Sequence, residues 1–308
     1  MFAGSTRTPG TVGKLPRVPT VEFCRINRRT TDQSLQPRPF GADLRALAAS
    51  GDTVADFRGN HFIAADLRVD PSETFMTGLL GFSEQEHLRS FEIEAFSWLK
   101  GDITQIEGAT SRTVVPFAID LRTARRWAAH VVSQRIRSGV FRNALAATLN
   151  AAVGKLHLLP SEWEVDPVTA THTVFEWIDE HPEVTKFSRR IKLTNPLVDI
   201  DEARRKMRAL GAVEDEETFK AGRGDSLQVN GNPEFATMLS DMETGDVEVV
   251  LVARSGKGGH VSFYSSKHAD RTSISEFGSD LERGIELVLD VLRDFSEQRG
   301  DVVHADVA

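Results

Sequence analysis

The chain has 308 residues, of which 40% are hydrophobic and 27% charged, and its formal net charge is −8. This composition is that of a globular protein, and no run of ~20 apolar residues predicts a membrane-spanning helix. The single cysteine, Cys24, excludes an intrachain disulfide and cysteine-based zinc clusters. We therefore expect a protein of a reducing compartment, the cytoplasm, with no membrane partner.

The first 41 residues are rich in Thr, Pro, Gly and Arg and show no sustained apolar period. They predict a flexible basic tail that contains one short strand. The pattern up to residue 80 predicts, in order, that strand at 18–23, a helix at 41–50, a strand at 61–68 and a weakly helical stretch at 71–80.

The middle of the chain predicts one buried strand followed by two consecutive helices. Residues 114–119 form an apolar run suited to the strand, and Asp120 then offers a helix cap. From 123 to 136 the apolar residues recur with a helical period, which Gly139 ends. A second helix is predicted over 141–153.

The last part of the chain alternates between strand and helix patterns. It predicts a strand at 168–178, a strand at 184–193, a helix at 202–210, a helix at 235–242, a hairpin of 247–253 with 260–266, and a helix at 274–295. This order favours an α+β fold with a mixed or antiparallel sheet and flanking helices. Beyond the tail (1–41) we expect an N-terminal α/β region (42–160) and a C-terminal α+β region (161–308), or one domain made of both.

Charge is strongly segregated along the sequence. No acid occurs between Asp120 and Glu162, and this window carries seven Lys and Arg residues. Residues 1–41 have a net charge of +5, so the rest of the chain carries about −20. A polyanion meets the local field rather than the total charge, so the basic window is a candidate binding surface.

The predicted basic helix supplies most of the candidate site. At 100° per residue its basic side chains share one face, with Arg135 as the exception, whereas Trp127 and Val131 lie on the other. Guanidinium groups suit phosphate, and each neutralised phosphate releases counterions. The predicted nucleic-acid-binding residues of this window are Arg122, Arg125, Arg126, His130, Arg137 and Arg142. The alternative is a solvated face whose arginines pair with acids elsewhere.

A predicted strand adds a second basic group. Alternation places Lys186, Arg190 and Lys192 on one of its faces, and these complete the predicted binding set. Phe187 lies on the opposite face and is expected to be core.

The sequence matches no complete catalytic or metal-binding motif. None of the three Gly-Lys pairs is followed by Ser or Thr, which excludes a P-loop, and we predict no metal site and no cofactor. The weak catalytic candidates are His260 and Ser262, because His260-Val-Ser262-Phe263 matches half of the two-histidine phosphoesterase motif. The chain offers no proper second half, since His172-Thr places its hydroxyl one residue too early.

The cadence of strands and helices with a basic face resembles ferredoxin-like RNA-binding modules, which implies ferredoxin-like units and binding of RNA. We predict a protein that binds DNA, RNA or another polyanion, and we recognise no catalytic motif that would make it an enzyme. An accessory role in a bacterial defence or mobile-element system is one setting for it. The alternatives are an atypical phosphodiesterase using His260, and a subunit whose basic helix docks on an acidic protein or on another copy of itself.

Overall fold

The computed structural model describes residues 18–30, 39–51, 53–57, 60–83, 91–92, 97–98, 113–122, 125–158, 160–192, 202–240, 242, 247–256 and 258–300. In chain order its strands are β1 Thr20–Thr30, β2 Thr53–Phe57, β3 Asn60–Val69, β4 Phe75–Ser83, β5 Phe91–Glu92, β6 Ser97–Trp98, β7 Thr113–Asp120, β8 Trp127–Val132, β9 Ser161–Pro167, β10 Val184–Lys192, β11 Glu214–Lys220, β12 Val247–Arg254, β13 His260–Tyr264 and β14 Arg271–Ser273. Its helices are α1 Phe40–Ser50, α2 Ser138–Lys155, α3 Thr171–Glu180, α4 Glu202–Leu210, α5 Pro233–Ser240 and α6 Leu281–Arg299.

The α+β class predicted from the sequence is confirmed. The larger sheet has the order β14-β1-β8-β7-β4-β3-β2, and β9 pairs with the C-terminal part of β1. The smaller sheet has the order β11-β10-β12-β13, and β5 pairs with β6. All these pairs are antiparallel, and the ferredoxin-like arrangement is not confirmed.

Each sheet has a hydrophobic cluster of its own. The first cluster joins the larger sheet to α1, α2 and α6. The second joins the smaller sheet to α3, α4 and α5. Along the chain, cluster membership runs from the first to the second after Val168 and returns to the first at Ile274. The division near residue 160 stays a prediction about folding units.

The predicted helix over 123–136 is wrong, because residues 127–132 form strand β8. Residues 123–124 lie outside the described part of the chain. The ring of Trp127 meets Phe295 of α6, whereas His130 stacks on Phe141 of α2. The strand is therefore covered by helices on both faces, and a strand of that kind reads as a continuous apolar run, which periodicity alone cannot separate from a helix.

The predicted tail is wrong over residues 20–30, although a strand was expected at 18–23. Strand β1 lies inside the larger sheet, and Val21, Cys24 and Ile26 have no exposed surface. Four of its polar residues are buried as well, and among them Arg28 pairs with Asp43 of α1. Such charges look like a solvated tail in sequence, because their partners come from distant segments. The rest of the predicted tail, 1–17 and 31–38, lies outside the described residues.

Two shorter elements were also assigned the wrong type. The stretch predicted as weakly helical before residue 80 holds strand β4, which pairs with β3 and β7. The stretch predicted as a strand at 168–178 holds helix α3, whose Val174 and Ile178 are buried one turn apart. Alternating threonines suggested a strand there, but the i, i+4 spacing of the two aliphatic residues sets the buried face.

Candidate anion-binding groove

The first two arginines of the predicted site are tied to the body of the protein. Arg122 forms a bidentate pair with the buried carboxylate of Asp120, with Nη2 2.6 Å from Oδ2. Arg125 donates to the backbone carbonyl of Ser296 at 3.0 Å and pairs with Glu297 of α6. Both side chains therefore bind the last turns of α6 to the loop before β8.

Arg126 and His130 are fully buried. Arg126 has a φ of 57° directly before β8, so the backbone turns there and does not continue as a helix. His130 lies inside the sheet, between Glu22 of β1 and Phe117 of β7 in the strand register. Neither side chain lies on the surface where the predicted helix would have placed it.

The two remaining residues of the basic window lie at the start of α2. Arg142 donates from Nη2 to the carbonyl of Ser266 at 2.9 Å and is half-buried. Arg137 is exposed, and its Nε donates to the carbonyl of Gln134 at 3.2 Å. Arg135 is also exposed on the turn between β8 and α2. Of the six predicted residues in this window, Arg137 is the exposed one.

The basic face of β10 is paired with acids. Arg190 has carboxylates of Glu214, Glu216 and Glu248 within 4.0 Å. Lys192 contacts carboxylates of two residues of β9 at 2.8 and 2.9 Å. Burial alone would lower the pKa of Lys192, but these two carboxylates more than offset it and raise that pKa.

Two further residues of β10, Phe187 and Lys186, lie on the faces that the alternation predicts. Phe187 is buried in the second cluster, as expected. Lys186 is half-buried at the same strand. The acidic strand β11, which pairs with β10, therefore neutralises much of its basic face.

His260 and Ser262 lie on the exposed face of β13, at an edge of the smaller sheet. His172 belongs to helix α3 and not to a facing strand. The His-hydroxyl strand pair that the phosphoesterase hypothesis needs is thus not formed by these two segments. The catalytic role of His260 stays a prediction.

An open groove of about 650 Å³ lies beside the turn that joins β8 to α2. Its volume is within the range of ligand sites, ~300–1,000 Å³. The described residues that line it include two arginines and no acid: Val18, Pro19, Thr20, Val131, Val132, Ser133, Gln134, Arg137, Ser138, Arg271 and Phe277. The lining thus combines an apolar part with a polar, positively charged part.

Three segments position the cationic side of the groove. Arg271 of β14 donates from Nη2 to the hydroxyl of Ser138 at 3.1 Å, so its guanidinium lies beside the residue that follows Arg137. Helix α2 begins at Ser138, with no acid in its first turn and no side-chain cap from Arg137. The positive end of the helix dipole adds to the two arginines there.

A buried carboxylate holds this arrangement. Glu22 of β1 has no exposed surface, and it accepts from Nε and Nη2 of Arg271 at 3.0 and 2.9 Å. The hydroxyl of Ser138 also donates to Glu22. Glu22 therefore fixes the direction of Arg271, whose side chain stays 49% exposed at the groove.

His130, which lies opposite the buried Glu22 in the strand register, is uncharged in the folded protein at neutral pH. Burial, together with the positive charges of Arg142 and Arg271, lowers the pKa of His130 from 6.5 to about 3. The unfolded chain takes up a proton below about pH 6.5, and the folded chain resists it until about pH 3. Stability linked to His130 is therefore complete above pH 6.5 and is lost as the pH falls through this window.

We expect His130→Leu to flatten the dependence of the unfolding free energy on pH between about pH 6.5 and pH 4, by up to about 1.4 kcal/mol per pH unit. Urea denaturation at several pH values measures this slope. Leu210→Ala, which removes no ionisable group from an exposed position of α4, is the control, and its slope should match that of the unmodified chain. Equal slopes in all three proteins would contradict the account of His130.

Sequence reasoning missed Arg271, Phe277 and Glu22. Arg271 lies far along the chain from the basic window and reaches the groove only because β14 pairs with the first residues of β1. Residues 20–22 and 271–273 are about 250 positions apart, so no short stretch of the sequence indicates that they pair. The one available hint was the isolated Glu22 in an otherwise basic segment, since a lone acid among bases often has a specific partner.

Comparison with known proteins assigns no family. No protein-family model matches the chain, and no curated protein matches it in sequence. Within the described residues, no helix is long and apolar enough to cross a membrane. The same residues contain no group of three or more His, Cys, Asp or Glu side chains that could hold a metal ion.

Proposed function

We propose that the chain binds nucleic acid, and that the groove lined by Arg137 and Arg271 is where phosphate is held. The observation that carries the proposal is the groove itself. Arg137, Arg271 and the start of an 18-residue helix meet at this cavity, and no acid is among the described residues that line it. The buried Glu22 behind Arg271 offsets part of that arginine's charge, so Arg137 is the cation of the groove without a paired carboxylate in the described residues. Arginine binds phosphate through paired donors, and a helix N-terminus favours the same charge.

Charge in the neighbouring sequence supports this choice. The 17 residues that precede Val18 in the chain carry Arg7, Lys14 and Arg17 and no acid. Arg135 adds an exposed cation on the turn beside the groove. The net charge of −8 of the whole chain does not oppose local binding, because the interaction between exposed charges is screened over about 10 Å at 0.1 M salt.

The proposal also includes a cellular compartment and a biological role for the protein. Cys24 is a free, buried thiol, which suits a reducing cytoplasm. Within such a compartment we propose an accessory role, in bacterial defence or in a mobile element, that needs no catalysis by this chain. Docking of the same basic surface on an acidic protein or on a second copy of the chain is the competing outcome of the experiment.

Arg137→Glu is expected to weaken binding of mixed-sequence oligonucleotides on the order of tenfold, because one charge-assisted contact is lost and replaced by repulsion. The slope of log K against log salt should fall by about one. Fluorescence anisotropy over a salt series measures both. Arg137 is exposed and donates to one carbonyl, so the melting temperature should stay unchanged.

The matched control is Arg205→Glu, the same charge change at an exposed position of α4. It should leave binding near that of the unmodified chain. Equal loss in both variants, or no binding of the unmodified chain at low salt, would reject the groove. Retention of a protein partner without oligonucleotide binding would favour the docking alternative.

A further inference from the structure

We infer that the nucleic acid held in the groove is single-stranded, with a base stacked on Phe277 and the flanking phosphates on Arg137 and Arg271. This inference rests on the proposed function and adds the class of nucleic acid. A duplex keeps its bases stacked inside and offers phosphates alone. An aromatic wall beside a cationic wall suits a strand whose bases are free to leave the stack.

The aromatic wall is held in place from behind. Phe277 lies between β14 and α6, is half-buried, and packs on the first hydrophobic cluster while it also lines the groove. A Cβ added at Gly284 of α6 would lie 2.9 Å from Cδ2 and Cε2 of this ring. The absence of a side chain at Gly284 therefore lets the ring lie directly against the helix, so it is a fixed platform rather than a loose side chain.

The cationic wall lies on the other segments of the groove. Arg137 and Gln134 belong to the turn before α2, and Arg271 belongs to β14, six residues before Phe277. Pro19 adds an apolar contact at the start of β1. Phosphate and base would thus be met by different side chains of one cavity, which is the division of contacts that sequence-tolerant single-strand binding uses.

Two exposed acids, Glu276 and Asp280, lie within three residues of Phe277 in the chain. Neither of them lines the groove. Their charge disfavours a rigid duplex laid over this surface more than a flexible strand, which can direct its phosphates toward the arginines. The preference for single strands therefore has an electrostatic as well as a stacking component.

The test compares three probes on the full chain: oligothymidylate, an abasic deoxyribose-phosphate strand of equal length, and the duplex of oligothymidylate with oligoadenylate. We expect oligothymidylate to bind on the order of tenfold more tightly than the abasic strand, because a base stacked on an aromatic ring adds to the affinity and the abasic strand has no base to stack. Phe277→Leu should remove that difference while leaving abasic binding unchanged. Arg137→Glu should weaken all three probes.

The outcomes separate the two proposals. If Arg137→Glu weakens every probe but oligothymidylate, abasic strand and duplex bind equally, the groove binds phosphate and the single-strand inference is overturned. If Arg137→Glu changes nothing, the proposed function fails first. Should Phe277→Leu lower the melting temperature too far for binding measurements, photocrosslinking of 5-iodouridine strands to the unmodified chain decides instead. Crosslinks at Phe277 would support the inference, and crosslinks confined to other segments would overturn it.

Discussion

Replacing Phe295 by alanine is expected to lower the free energy of unfolding by about 3–5 kcal/mol. Phe295 of α6 stacks on Phe23 of β1 with ring centroids 3.9 Å apart and meets the edge of Trp127 of β8 at 5.6 Å. It thus packs against the two strands that the sequence described as a tail and a helix. Removing it leaves a cavity between α6 and the larger sheet, and a packed core closes such cavities only in part.

Urea denaturation of Phe295→Ala against the unmodified chain measures this loss. Leu210→Ala on α4 is the control, because Leu210 is 73% exposed and its loss should cost less than about 0.5 kcal/mol. Similar destabilisation by both variants would show that α6 does not close the core as described.

Arg122→Met should cost about 3–5 kcal/mol of stability, because it leaves the carboxylate of Asp120 buried without its cation. Asp120 has no exposed surface, and after the change its remaining side-chain partner is the hydroxyl of Ser296. The double variant Arg122→Met with Asp120→Asn should recover part of the loss, since the buried group is then neutral. Thermal or urea unfolding of the three variants completes the cycle.

The control for this cycle is Arg283→Met, which removes an exposed pair with Glu286 and should change stability by less than about 1 kcal/mol. A fold-neutral Arg122→Met would mean that Arg122 is free to contact a ligand, as the sequence interpretation had it. The structure predicts the opposite, with Arg122 fixing α6 to the end of β7.

Sequence patterns predicted correctly the elements that have one buried and one exposed face. Helix α4, the hairpin of β12 and β13, strand β10 and the part of α2 over 141–153 follow from alternation or a helical period, whereas Gly139, expected to separate two helices, lies in the first turn of α2. Their period matches one buried and one exposed face. The sequence therefore sufficed for these parts of the α+β class.

Strands β1 and β8 could not be read in this way, because both of their faces are buried. Glu22, Arg25 and His130 look like surface residues in sequence, yet each has no exposed surface. Their partners come from α2, from β14 and from neighbouring strands. The sequence of residues 20–30 and 127–132 does not reveal those partners, because they are distant in the chain. Charged residues that are buried and paired with residues of other strands therefore look, in the sequence alone, like residues of a solvent-exposed face.

The candidate site was predictable only in its charge. The acid-free window indicated a basic surface, and Arg137 lies on one. The window could not show which of its cations had partners, since Glu297, Ser296 and Ser266 lie more than 120 residues further along the chain. Of the predicted residues in this window, Arg137 lines the groove. Arg271 and Phe277, which lie outside the window, line it as well.

Amide hydrogen exchange with and without saturating oligothymidylate tests the central claim most directly. The account predicts added protection over residues 133–138 and 271–277, where the turn before α2, strand β14 and Phe277 surround the groove. Protection confined to β10 at residues 186–192, or no protected segment at all, would contradict binding at this groove.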